Sequence, residues 1–183
     1  ILRRGEACAS LQTCGVAKER IRFLDLSFYE RGRYRQFAPD ANDLASVVSV
    51  LKTLAPHQIF ATGERDDPSS VTAVCFDLVR RACRSVSQEA WFKDCRVWLY
   101  RGVEMPWDAS EIDMAVPVSP RELAQKTQAI FYHKSQRSQT PVSTGLRESW
   151  QQAEQHNRAL AAAYDQLGLA NYEAIEAFQR WIP

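Results

Sequence analysis

Between residues 40 and 55 the apolar residues Leu44, Val47, Val48, Leu51 and Leu54 return every three or four positions, which puts them on one stripe of a helix. Asp40 or Asn42 is available as its N-cap. The run HQIFATG (57 to 63) reads as a strand, and Val71, Val74, Cys75, Leu78, Val79 and Ala82 behind it form a second helical stripe. Asp67 is placed to cap that helix, with Pro68 in its first turn. RIRFLDLSFY (20 to 29) and CRVWLYRG (95 to 102) predict further strands, and EIDMAVPV (111 to 118) a short peripheral one. SPRE (119 to 122) has the form of a capping box with proline at the first helical position, opening a helix from about Pro120 to His133. Leu146, Trp150, Ala153, Leu160, Ala161, Tyr164 and Leu167 predict a long helix stopped by Gly168, and Tyr172, Ile175, Phe178 and Trp181 a last helix.

Strands alternating with helices define an α/β sandwich with a parallel core and a helical C-terminal end. Three main strands are few for such a sheet, and its long edges call for a second copy of the chain or a partner chain to cover them. The opening ILRRGEACASLQTCGV already reads as a helix under way, with no initiator Met, so a segment upstream is expected to have been removed.

Composition narrows the function. A chain of 183 residues can bury one core, and the whole of 1–183 reads as one domain. A formal net charge of +1 gives no case for nucleic acid or an anionic membrane, and the local excess of arginine and lysine in the first 35 residues reads as solvated surface. No apolar run is long enough to span a bilayer and no secretory signal is visible, which points to the cytoplasm. The cysteines, odd in number and without CxxC spacing, suggest neither a disulfide framework nor a zinc knuckle; Cys75 and Cys83 read as core thiols. Trp98, Tyr100 and Trp107 could line a sugar-stacking wall, although aromatic residues in and after a strand more often belong to the core.

An ordered series of segments carries a family resemblance: RRGEA (3 to 7), RFLDLSFYERG (22 to 32), PHQIFATGERDDP (56 to 68), DCRVWLYRG (94 to 102), WDASEIDMAVPVSP (107 to 120), AIFYHKSQ (129 to 136) and LGLANYEAIEAFQRW (167 to 181). Together they resemble the PIG-L/LmbE-type zinc N-deacetylases, and most of all the deacetylase-like second half of long bacterial glucosamine-6-phosphate deaminase-like proteins. The resemblance implies a Rossmann-like three-layer sandwich with a mostly parallel sheet, lacking here the family's first strands. It also implies amino-sugar chemistry, with an amino sugar or sugar phosphate as ligand.

The same resemblance implies a changed site. Active relatives carry a His-Pro-Asp-Asp motif that supplies a zinc histidine, a zinc aspartate and the general base, and this chain has no such motif. A second motif, of the form Asp-Pro-His-Gly-Thr-His, supplies an oxyanion-stabilising histidine and a further zinc histidine. Here it aligns with Asp67, Pro68, Ser69, Ser70, Val71 and Thr72, so that Ser69 stands in the oxyanion position and Thr72 in the metal position. Hydroxyls bind zinc poorly beside imidazole, and no zinc or other cofactor is expected in this chain. Ser69, Ser70 and Thr72 remain as ligand-binding candidates, while Asp67, His133 and Gln136 match the family's pocket by position. Each of those three also has a structural role open to it: an N-cap for Asp67, and helix-end contacts for His133 and Gln136.

Overall fold

The computed structural model describes residues 2–31, 38–63, 70–102, 106–136, 149–168 and 171–183. Six α-helices and four strands appear among them: α1 (Leu2–Thr13), α2 (Ser27–Arg31), α3 (Ala41–Leu54), β1 (Gln58–Thr62), α4 (Val71–Ser85), β2 (Arg96–Tyr100), β3 (Met114–Val118), α5 (Pro120–Phe131), α6 (Ser149–Gln166) and β4 (Ala174–Trp181). The strands form one sheet in the order β1-β2-β4-β3. β1 and β2 run parallel, with Ile59 opposite Val97 and Ala61 opposite Leu99. β4 lies antiparallel to β2, with Trp181 opposite Val97. The chain is α/β, as the alternation of elements predicts.

Two compact units share the chain, one made of Ile1–Arg22 with Ala115–Glu176 and the other of Phe23–Met114 with Ala177–Pro183. In the second unit, Leu51 of α3 and Ala82 and Cys83 of α4 pack with Val86, Phe92 and Val97, and partly buried Ile59 and Trp181 complete the cluster. Cys83 is thus a core thiol, and burial, with Cys95 nearby, pushes its pKa up to about 12. Phe76 meets Trp181 edge-on at 6.0 Å and Phe60 meets Phe178 at 5.2 Å, which ties β4 to α4 and β1. In the first unit the buried residues are Leu123 and Ala129 of α5, Ala153, Asn157 and Ala161 of α6, and Ala174 and Ile175 of β4.

The locally encoded elements form where the sequence places them. Asp40 caps α3 through the Asn42 and Asp43 N–H groups, and Asp43 returns the capping box. Ser119 and Glu122 do the same for α5, with Pro120 in its first turn. Gly168, at φ 75°, takes up the left-handed conformation just after α6.

Three expectations are corrected. The strand expected over 20–29 is an irregular segment followed by α2, because the buried Asp43 carboxylate accepts the Ser27 and Phe28 N–H groups at 2.5 and 3.2 Å and so starts a helix there. Asp25, at φ 51°, also breaks the extended run. The helix expected at the C-terminal end is strand β4. Tyr172, Ile175, Phe178 and Trp181 fit a helical stripe, but β2 offers residues 179–181 a ladder of backbone partners that local periodicity cannot reveal. Finally, α4 is capped by Ser70, whose hydroxyl accepts the Ala73 N–H at 3.1 Å, while Asp67 and Pro68 lie outside the described residues.

Candidate functional site

In the second unit the parallel strands β1 and β2 end side by side, and the Gly63 N–H extends their ladder by donating to the Tyr100 carbonyl at 2.7 Å. Open α/β sheets bind ligands at this carboxyl end of their strands. α4 begins with Ser70 as N-cap and Val71 as first helical residue, which puts half-buried Thr72 in its first turn. Ser69 and Asp67 lie outside the described residues. Ser70 spends one hydroxyl lone pair on its cap, and Thr72 offers a neutral hydroxyl; both are weak ligands for zinc.

Next to these strand ends, Arg101, which local pattern does not single out, joins Trp107 of the expected stacking wall. The Arg101 guanidinium lies over the Trp107 ring, 4.0 Å from its centroid. Trp98 and Trp107 are each only 8% exposed, so these two belong to the core, whereas Tyr100 is exposed. Trp107 packs directly against Gly63: a Cβ there would lie 2.9 Å from two of its ring carbons and 3.1 Å from the Leu99 Cβ. Glycine is required by this close approach. We therefore expect Gly63→Ala to cost about 1–3 kcal/mol, read as a lowered urea midpoint with unchanged slope.

His133 and Gln136 belong to the first unit. α5 stops at Phe131, and the His133 N–H donates to the Ile130 carbonyl at 3.1 Å. The following turn, Lys134–Gln136, is fastened to α1 by Glu6, whose carboxylate accepts both the Ser135 N–H (2.8 Å) and the Ser135 hydroxyl. The Ser135 hydroxyl, helped by its N–H and the nearby charges of His133 and Arg3, holds the Glu6 carboxyl below its ordinary value against some desolvation. Glu6 is the signal behind RRGEA that the sequence leaves without a partner. Of the other histidines, His57 is exposed ahead of β1. His156 is half-buried in α6, where desolvation holds its pKa below the ordinary value despite the carboxylate of Glu176.

Among the described residues, no three His, Cys, Asp or Glu side chains stand close enough together to hold a metal ion. A catalytic zinc takes three protein ligands and keeps one position open, and the described donor set does not fit that requirement.

No family model matches the chain. Its fold is shared with solved structures: the 4-carboxy-2-hydroxymuconate hydratase GalB from Pseudomonas putida (TM-score 0.69, 18% identity, all of this chain and 72% of that one) and a conserved protein from Thermus thermophilus (0.63, 16%, all of this chain and 74%). It is shared also with the N,N'-diacetylchitobiose deacetylase from Pyrococcus horikoshii (0.58, 16%, 98% and 63%). In sequence the chain is 42% identical over 186 aligned positions to a glucosamine-6-phosphate deaminase-like protein of Bacteroides thetaiotaomicron. That alignment takes in the whole chain and 28% of the relative's length.

Proposed function

We propose that this chain is a deacetylase-like domain that does not itself perform zinc-dependent N-deacetylation and that serves as a binding scaffold for an amino sugar or sugar phosphate. The observation that carries this reading is the start of α4. Where the resemblance calls for two imidazoles, the sequence has Ser69 and Thr72, and the intervening Ser70 is engaged as a helix cap. Without an imidazole at position 72 a zinc-bound water has too few ligands behind it to be activated. The fold alone does not demand deacetylation, since one protein of the same fold is a hydratase and another a chitobiose deacetylase.

The test is acetate release from N-acetylglucosamine 6-phosphate in the presence of added zinc. We expect none above the protein-free rate; zinc-dependent turnover abolished by chelator would refute the reading.

A second reading, an active zinc N-deacetylase completed by a segment outside this chain, draws on the small share of the relative that the chain spans. Thr72 weighs against it, because a completed site would still have a hydroxyl in place of a histidine. No helix among the described residues is long and apolar enough to cross a membrane. We place the protein in the cytoplasm, and propose that the outer edge of β1 or β3 is covered by a second copy or a partner chain, because each is an end strand of the sheet.

A further inference from the structure

At the carboxyl ends of β1 and β2, two buried nitrogen donors have no acceptor: Arg101 Nε and Trp107 Nε1. They are neighbours, since the guanidinium lies on the indole at 4.0 Å. Buried polar groups are almost always paired, and a cluster of donors without acceptors marks the place of an acceptor that the described residues do not supply. Arg101 is half-buried as a residue, with its Nε enclosed. Among the described residues it faces no carboxylate, and its one partner is the Trp107 ring. Stacking offsets part of the cost of holding a cation there and leaves Nε without an acceptor.

We infer that Arg101 and Trp107 form an oxyanion site, and that its ligand is a phosphate group, either free or as the ester of a small sugar. Phosphate is favoured because its several acceptor oxygens can take the side-on fork of Arg101 and a further N–H at once. Gly63 keeps the backbone clear of the indole and so fixes the ring against which the guanidinium is held. The site uses no metal. Zinc found in the protein would overturn the proposed function and leave this inference standing.

The test is calorimetric titration of the whole chain at low ionic strength with inorganic phosphate, glucosamine 6-phosphate and glucosamine. Both phosphate-bearing probes are expected to bind saturably, more weakly as salt is added, and glucosamine to give no signal. Tighter binding of glucosamine 6-phosphate than of inorganic phosphate identifies a sugar phosphate as the ligand; equal binding identifies the free ion. Arg101→Gln is expected to weaken binding about tenfold or more. Arg101→Lys keeps the charge but not the fork, so it falls between Gln and the native residue. Trp107→Phe keeps an aromatic face without the N–H and should weaken binding by a smaller factor. Circular dichroism confirms that each variant is folded. No saturable binding of either phosphate probe, or equal affinity in folded Arg101→Gln, would overturn the assignment.

Discussion

Replacing Asp43 by Ala should cost about 3–5 kcal/mol of stability, the range for removing one partner of a buried, hydrogen-bonded charge. Asp43 is 2% exposed. Its carboxylate accepts the Ser27 N–H (2.5 Å), the Phe28 N–H (3.2 Å), the Asp40 N–H (3.1 Å) and the Ser27 hydroxyl (3.0 Å). It thereby closes the cap of α3 and starts α2 at the same time. Ala would remove the acceptor of the Ser27, Phe28 and Asp40 N–H groups, while Asn, with one amide oxygen, should cost less. Urea unfolding of the three proteins gives the order directly.

The same residue sets a pH dependence. Burial raises the Asp43 pKa, but the hydrogen bonds from Asp40 and Ser27 outweigh it and hold the carboxyl below its ordinary value. A folded pKa below the unfolded one means that the stabilisation is complete above the unfolded pKa, roughly 3.9, and is lost as pH falls through the folded pKa. Native protein should therefore lose stability steeply below about pH 4, and Asp43→Asn should lose less over the same interval.

The second large effect is expected at Asn157, which is fully buried in α6. Its amide donates to the Ile175 carbonyl at 2.7 Å, and its oxygen accepts the Lys126 ammonium at 2.8 Å. One side chain thus joins α5, α6 and the start of β4 within the first unit. Asn157→Ala should cost about 2–4 kcal/mol, for a cavity together with the loss of both hydrogen bonds. Lys126 also pairs with Glu176, but both side chains are about a third exposed, at 33% and 31%. Solvent screening makes that pair worth less, so Lys126→Met should cost less than Asn157→Ala, and added salt should narrow only the contribution of the ion pair. Thermal melts of the two variants at low and high salt separate the effects. A larger loss at Lys126 would place the weight on the ion pair instead.

What the sequence discloses and what it hides divide by distance along the chain. The stripe of α3, the capping box of α5 and the glycine that ends α6 rest on residues a few positions apart, so pattern alone locates them. α2 depends on a carboxylate 16 positions away, and β4 on a ladder with β2, so neither shows in local periodicity. The site divides in the same way. Ser69, Ser70 and Thr72 stand out because a motif surrounds them, and Trp107 as an aromatic after a strand, whereas Arg101 acquires meaning only once its guanidinium is seen over the indole that packs on Gly63. Likewise Glu6 and Ser135 are 129 positions apart, and nothing in either segment predicts their bond.

We propose above all that this chain is a deacetylase-like domain without a catalytic metal. Elemental analysis of protein purified without chelator, before and after incubation with zinc and gel filtration, tests it most directly. We expect no stoichiometric zinc, in the native chain or in Thr72→His, because one restored imidazole does not make a three-ligand site. About one tightly held zinc per native chain would contradict it and mean that other residues complete a metal centre.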